Sequence, residues 1–195
     1  KVVNAAKASQ KQVLDNAEAQ ALFKSVGAGA GRDFNLDDAR YGRIVILCDA
    51  DVDGSHIRCL LLTLIHEYMR PMLEAGNVYA AQPPLYTTKV GDQIYRVYSD
   101  DERNSVTDEL CKGNRKRENI KWQRFKGLGE MNVDELRHCA LDPETRTLKR
   151  LTMDDAKQAK EASKMFDVLM GNDVGVRRDF LVKNSAFVDT ATLDV

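Results

Sequence analysis

The fold is decided by residues 43–58, which read RIVILCDADVDGSHIR. Residues 43–48, which are apolar apart from Arg43, predict a strand buried on both faces, as is typical of a parallel sheet. Apolar residues then recur at helical spacing from Ser55 to Glu74 and predict a long amphipathic helix. With a second strand predicted at 77–81, these segments form a β-α-β unit. Its acidic residues follow the first strand, at the end where open α/β sheets bind ligands.

Three carboxylates, those of Asp49, Asp51 and Asp53, occupy alternate positions between this strand and this helix. Two unit charges about 4 Å apart repel by about 4 kcal/mol at an effective dielectric constant of about 20. Such a cluster calls for a cation, a shared proton or strong hydrogen bonds, and oxygen ligands favour Mg²⁺ or Ca²⁺. An EF-hand calcium loop is excluded because its twelfth residue is Leu60 instead of glutamate, and because it follows a strand.

Three interpretations of the acidic residues remain open at this point. The D-x-D sequence after a strand resembles phosphatases of the haloacid dehalogenase type, with Asp49 as nucleophile and Asp51 as acid, although Asp53 departs from that pattern. A structural interpretation has Asp53 or Ser55 capping the helix. The third interpretation is a Mg²⁺ site for phosphodiester chemistry, in which the metal neutralises phosphate charge.

Composition predicts an ordinary globular chain. It has 195 residues, of which 43% are hydrophobic and 30% charged, and no apolar stretch is long enough to span a membrane. The net charge of −1 means that binding to nucleic acid has to come from a local basic patch. The four cysteines form no CxxC pair, which favours small buried side chains in the reducing cytoplasm.

The rest of the chain predicts further helices and one hairpin. The hairpin has strands at 85–89 and 93–98 around Gly91-Asp92. Helices are predicted at 9–26, 100–111, 132–140, 154–170 and 174–183, and a strand or extended link at 146–153. The fold class is therefore α/β: a parallel sheet flanked by helices, with an inserted hairpin and a C-terminal helical tail.

Several segments resemble, in the same order, the B subunits of bacterial type IIA DNA topoisomerases. These segments are residues 49–58, 60–63, 68–71, 81–86, 123–131, 141–148 and 169–171. The resemblance implies a Toprim domain, which is Rossmann-like, over residues 1–171, with an insert at about 85–120 and a tail at 172–195.

The resemblance also implies roles for the acidic residues. Asp49 and Asp51 correspond to the catalytic pair that binds one or two Mg²⁺ ions, and Asp53 to a third acid of the metal site. Gly54 permits the tight turn from strand to helix. In this family the metals assist cleavage and resealing of DNA, and the attacking tyrosine belongs to the A subunit of an A₂B₂ enzyme. ATP is bound by the N-terminal half of the B subunit, which this sequence does not include.

Residues 112–126 are rich in lysine and arginine, which suits contact with DNA phosphates. Residues 112–116 taken alone instead favour a solvated charged face. Arg124 and Lys126 are the strongest candidates because they adjoin Gly127-Leu128-Gly129, where Gly127 and Gly129 let backbone N–H groups approach an anion. His56 and Arg58 are further candidates for facing DNA. The alternative for His56 is that it only orders the loop.

One departure from the family limits these expectations. The glutamate of its upstream E-G-D-S motif is not in this sequence. We therefore expect these residues to form an incomplete metal site and the chain by itself not to cleave DNA. The alternative function is a Toprim-like module that binds DNA or a partner without catalysis. Residues 27–34 and 58–61 favour the topoisomerase IV type over gyrase.

Overall fold

A computed structural model describes residues 2–49, 51–112, 115–153 and 156–187. Within them the α-helices are α1 (Gln10–Asp15), α2 (Ala17–Val26), α3 (Val52–Tyr68), α4 (Arg70–Glu74), α5 (Asp100–Cys111), α6 (Val133–Leu136), α7 (Ala156–Met170) and α8 (Val174–Lys183). The strands are β1 (Ile44–Ile46), β2 (Val78–Ala81), β3 (Tyr86–Val90), β4 (Gln93–Val97), β5 (Gln123–Arg124) and β6 (Leu148–Leu151). None of these helices is long and apolar enough to cross a membrane.

The strands form two three-stranded sheets. The order in the first is β1-β2-β6, and this sheet includes parallel pairing, as the β-α-β pattern predicts. The order in the second is β4-β3-β5, with antiparallel pairing on both sides of β3. The predicted hairpin is thus confirmed, and β5 is a third strand of its sheet that the local sequence pattern does not indicate.

The chain divides into two compact units. The first unit holds the residues up to Ile46, then His56–Tyr79, then those from Arg150 onward. The second unit holds Leu47–Ser55 and Ala80–Lys149. The second unit therefore contains both the acidic loop, residues 47–55, and the sheet of the hairpin.

The long predicted helix is divided into α3 and α4 at Met69. Met69 has a φ of −140°, and Pro71 lies in the first turn of α4. Proline supplies no backbone N–H and its ring clashes with the carbonyl one turn earlier, so a continuous helix ends there. The prediction of one continuous helix from Ser55 to Glu74 is therefore wrong at Met69. The apolar face of this segment is buried, most completely at Leu64, Ile65, Met69 and Met72.

The predicted continuous helix over residues 9–26 is wrong. It is interrupted at Asn16, which ends α1 and caps α2 by accepting the N–H of Ala19 at 3.0 Å. Asparagine competes with helical backbone hydrogen bonds and is favoured at caps, which explains the interruption.

The first strand also differs from the prediction. Only Ile44–Ile46 is strand, Ile44 and Val45 are half-buried, and Leu47 is 42% exposed. The prediction of a strand that is buried on both faces as far as Cys48 is therefore wrong. The residues after Ile46 already belong to the acidic loop.

The four cysteines differ in burial. Cys139 is buried, as predicted, and Cys48 and Cys111 are half-buried. Cys59 is exposed on α3, so the expectation that the cysteines are all buried is wrong at this position.

Candidate functional site

Asp51 caps the start of α3. Its Oδ1 accepts the N–H of Gly54 at 2.6 Å, and its carbonyl accepts the N–H of Ser55 at 3.0 Å. Aspartate is a favoured cap, and a negative charge is favourable at a helix N-terminus. The helix therefore begins at Val52 instead of Ser55, and the structural interpretation that Asp53 or Ser55 is the cap is wrong.

Asp49 meets a turn that lies far away in the sequence. This glycine turn consists of residues 126–130 and includes a short 3₁₀ segment, Leu128–Glu130. The N–H of Leu128 donates to Asp49 Oδ1 at 2.7 Å across 79 residues of sequence. A hydrogen bond from a neutral donor to a carboxylate is charge-assisted and therefore strong. The structure thus brings the acidic loop and the segment at 123–131 together.

Two glycines make room for Asp49. A Cβ atom at Gly127 would lie 2.9 Å from Asp49 Cγ and 3.1 Å from each of its carboxylate oxygens. A Cβ atom at Gly54 would clash with the backbone carbonyl oxygen of Asp49. By contrast, a Cβ at Gly129 would meet no heavy atom within 4 Å. The close approach of Asp49 therefore requires glycine at positions 54 and 127, but not at position 129.

Glu130 closes the glycine turn. The N–H of Lys126 donates to Glu130 Oε2 at 2.8 Å, and the N–H of Glu130 donates to the carbonyl of Gly127 at 3.2 Å. These two bonds bracket Leu128, whose N–H holds Asp49. This role of Glu130 was not predicted from the sequence, where the only local signal is an acid four residues after Lys126.

The predicted DNA contacts on the second unit lie around this turn. Arg124, on β5, and Lys126 are both exposed. The Cζ atom of Arg124 lies 5.9 Å from the centroid of the Tyr86 ring. Trp122 is half-buried and its Nε1–H donates to Thr107 Oγ1 at 2.9 Å, which indicates packing and not an exposed platform for bases.

His56 and Arg58 are exposed residues of α3 and belong to the first unit. Asp49 and Asp51 belong to the second. A contact of His56 and Arg58 with DNA therefore stays a prediction.

The described residues contain no group of three His, Cys, Asp or Glu side chains that could hold a metal ion. Asp53 lies in the first turn of α3, and helical residues two apart do not face each other. The expectation that Asp49, Asp51 and Asp53 point the same way because they occupy alternate positions therefore does not hold for Asp53. Its role as a third acid of the metal site stays a prediction.

Asp49 and Asp51 nevertheless suit magnesium. Each carboxylate uses one oxygen to accept a backbone N–H, and its second oxygen would be the one to bind a metal. Mg²⁺ is usually bound by one or two carboxylates, completed by water and substrate phosphate oxygens. The donor set therefore fits a magnesium ion that shares its coordination with a phosphate.

Comparison with known protein families gives two matches. Residues 1–83 match the family model for the Toprim domain, and residues 117–182 match the one for the carboxyl terminus of the DNA gyrase B subunit. The chain belongs to the B subunits of type IIA DNA topoisomerases. Its α/β fold is the Rossmann-like Toprim fold. Asp49 lies in the first match and Leu128 in the second, so their hydrogen bond joins the two matched regions.

Curated relatives, all of them DNA gyrase B subunits by name, agree with this assignment. The protein of Streptococcus pyogenes serotype M3 is 47% identical over 197 residues, covering 100% of this chain and 29% of the relative. That of Archaeoglobus fulgidus is 46% identical over 185 residues, covering 95% of this chain and 28% of the relative. That of Haloferax volcanii is 46% identical over 181 residues, covering 93% and 27%. The chain thus spans less than a third of the length of these relatives.

Proposed function

We propose that this chain supplies the magnesium-binding part of the DNA cleavage and religation site of a type IIA topoisomerase. The observation that carries the proposal is the hydrogen bond between the Leu128 N–H and Asp49. It places a carboxylate of the predicted metal pair against the turn that follows the predicted phosphate-binding residues Arg124 and Lys126. The predicted metal ligands Asp49 and Asp51 and the predicted phosphate contacts Arg124 and Lys126 share one unit.

Asp49 and Asp51 would hold the magnesium. When bound, Mg²⁺ neutralises phosphate charge and stabilises the attacking and leaving oxygens of a phosphodiester exchange. The carboxylates are directed before DNA arrives, Asp49 by Leu128 and Asp51 by the N–H of Gly54. Ligands held by packing and hydrogen bonds keep the geometry that metal catalysis requires.

The exposed cations around the glycine turn would hold the DNA backbone. Arg124 and Lys126 supply charge, and the glycines at 127 and 129 let backbone N–H groups approach a phosphate. His56 and Arg58 on α3 would extend the contact. Because the net charge of the chain is −1, this attraction has to be local.

The nucleophilic tyrosine would come from an A subunit in an A₂B₂ assembly. Among the tyrosines of this chain, Tyr86 is buried and its hydroxyl donates to Asp100 Oδ1 at 2.9 Å. Burial, and then the carboxylate of Glu67, raise the pKa of Tyr68, which keeps its hydroxyl protonated. Neither residue suits the role of nucleophile. ATP would be bound and hydrolysed by an N-terminal half, and the enzyme would act on chromosomal DNA in the cytoplasm.

A second candidate function is a Toprim module that binds DNA or a partner without catalysis. The observation that favours it is that no three potential metal ligands converge in the described part of the chain. The phosphatase interpretation is set aside because the chain belongs to the topoisomerase B subunits.

The test is a magnesium-dependent cleavage and religation assay on a full-length B subunit containing this chain, assembled with its A subunit. We expect Asp49→Ala to abolish cleavage and to leave DNA binding in place. Asp92→Ala, which removes an exposed acid from the hairpin turn of the same unit, is the matched control and should cleave normally. Magnesium-dependent cleavage by Asp49→Ala would contradict the proposal, and a wild-type assembly that binds DNA without cleaving it would favour the non-catalytic module.

The same assembly distinguishes the two enzyme types. Supercoiling of relaxed DNA would identify a gyrase. Preferential decatenation without supercoiling would identify the topoisomerase IV type that residues 27–34 and 58–61 favour.

A further inference from the structure

Tyr86 carries two guanidinium groups on one aromatic ring. The Cζ atom of Arg103 lies 4.6 Å from the ring centroid and that of Arg124 lies 5.9 Å from it. Both distances are within the range in which a cation is attracted to the face of a tyrosine ring. The arrangement belongs entirely to the second unit.

The ring itself is fixed from several sides. Tyr86 is 5% exposed, and on β3 it is paired with Val97 of β4 and with Arg124 of β5. Its hydroxyl donates to Asp100 Oδ1 at 2.9 Å, at the start of α5. Tyr86 therefore offers a ring of defined position to a cation on the neighbouring strand.

The two arginines differ in how their charge is compensated. Arg103 is paired with Asp100 at 3.0 Å and its side chain is 31% exposed. Arg124 is exposed, and within the described residues no carboxylate forms an ion pair with it. Asp100 thus neutralises Arg103, and the charge of Arg124 is left for an anion from outside the chain.

We propose that Tyr86 is a positioning residue that holds the guanidinium of Arg124 for contact with a DNA phosphate. The proposal rests on the proposed function, since it needs DNA as the ligand of Arg124. An aromatic face attracts the cation without occupying its N–H donors, which remain for a phosphate in the plane of the guanidinium. Holding the side chain in place before binding also lowers the entropy cost of ordering it.

Arg124 lies close in sequence to the turn that contacts Asp49, a predicted metal ligand. Arg124 precedes Lys126 by two residues, and Lys126 begins the turn whose Leu128 N–H holds Asp49. A phosphate bound by Arg124 would therefore belong to the backbone near the scissile position. Tyr86 would act on DNA affinity through Arg124, without touching the reacting atoms.

The experiment measures DNA affinity as a function of salt for the assembled full-length enzyme. Arg124→Gln should lower the slope of log affinity against log salt by about 0.9, the value for one phosphate contact. Tyr86→Leu should weaken DNA binding about two- to five-fold and raise KM with kcat unchanged. The double variant should be no weaker than Arg124→Gln alone, and Tyr86→Phe, which keeps the ring, should bind as the wild type does.

A shape-preserving series guards against loss of folding in Tyr86→Leu. Phenylalanines with increasing numbers of fluorine atoms at position 86 weaken the negative ring face with little change in size. Affinity should fall stepwise with fluorination when Arg124 is present and stay level in the Arg124→Gln background. A flat response in both backgrounds would overturn the positioning role.

Failure of the proposed role of Tyr86 can be distinguished from failure of the proposed function. An unchanged salt slope in Arg124→Gln would overturn both the phosphate contact of Arg124 and the role of Tyr86. A reduced slope with no response to fluorination would overturn only the role of Tyr86. Cleavage by Asp49→Ala, measured separately, bears on the metal site alone.

Discussion

The acidic loop and the basic strand β5 lie in the same unit but hold their charges in different ways. The carboxylates of Asp49 and Asp51 each accept a backbone N–H, at 2.7 and 2.6 Å. The cation of Arg124 instead lies 5.9 Å from the centre of an aromatic ring. Hydrogen bonds to a carboxylate are directional, whereas attraction to a ring face tolerates sliding and tilting.

This difference matches what each charge has to do. A metal ligand must point its oxygens correctly to within a few tenths of an ångström, since Mg²⁺ demands near-ideal octahedral geometry. A phosphate contact has to bring positive charge near a backbone that varies in position. We therefore expect changes in the acidic loop to act steeply on rate, and changes near β5 to act gradually on affinity and with salt.

The largest effect should come from Asp51→Asn. Asparagine caps helices about as well as aspartate does, so the free energy of unfolding should stay unchanged while the charge is lost. Cleavage should fall by about 100-fold or more, because a metal contributes several kcal/mol to the transition state. Asp51→Ala is the control that removes the cap as well, at about 1 kcal/mol of stability measured by denaturant unfolding. Normal cleavage by Asp51→Asn would reduce this residue to a helix cap.

A smaller effect is expected at Glu130, which supports the acidic loop indirectly. Glu130→Ala removes the acceptor of the Lys126 N–H and should loosen the turn that holds Asp49. Hydrogen bonds to charged groups contribute about 1.5–3 kcal/mol, so cleavage should fall by about ten- to a hundredfold at most. Glu130→Gln keeps a carbonyl acceptor and should retain most activity in the same assay. Equal losses in both variants would point to the charge of Glu130 instead of its hydrogen bond.

The sequence predicted the helices and strands around the acidic loop and β5 better than it predicted the contacts between them. The helix at 100–111 and the hairpin follow local rules and are confirmed. The start of α3 was misplaced because three residues, Asp51, Asp53 and Ser55, all suit a cap, and only the turn of the backbone selects Asp51.

The contacts that build the site lie outside any local pattern. Leu128 and Asp49 are 79 residues apart, and the resemblance gave the order of their segments but no bond between them. Likewise, the pairing of β3 with β5 brings Tyr86 to Arg124 across a helix and a basic segment. Such pairings depend on the packing of the whole unit, which no window of sequence contains.

On the side of the basic strand, Lys126→Gln should change affinity by a few-fold only. The slope of log affinity against log salt should fall by about 0.9 if Lys126 contacts one phosphate. Lys89→Gln is the matched control, since it removes an exposed lysine from the hairpin of the same unit. Equal slopes for the Lys126→Gln variant and the wild type would remove Lys126 from the interface.

The smallest effect concerns Cys139, which is buried and belongs to the same unit. Burial raises the pKa of the Cys139 thiol, with the carboxylate of Glu135 acting in the same direction and Arg96 opposing them. The folded chain holds this proton more tightly than the unfolded chain does. The contribution of the protonated thiol to the free energy of unfolding is therefore complete below the pKa of the unfolded thiol, and it is lost as the pH rises through the higher pKa of the folded state. In alkaline buffer Cys139 should react with a thiol reagent far more slowly than the exposed Cys59, as followed by mass spectrometry. Equal rates would show that the second unit is not closed around Cys139.

In our proposal the glycine turn holds Asp49 in place to bind magnesium. The decisive measurement is a titration of Mg²⁺ in the cleavage assay of the assembled enzyme with Gly127→Ala and Gly129→Ala. A methyl group at position 127 would press on the Asp49 carboxylate, whereas one at position 129 would enter open space. We predict that Gly127→Ala raises the magnesium concentration for half-maximal cleavage at least about tenfold, as expected when a metal ligand loses its support. Gly129→Ala, which leaves Asp49 undisturbed, should keep the wild-type magnesium concentration for half-maximal cleavage even if it weakens DNA binding. The same magnesium dependence in both variants would contradict the account.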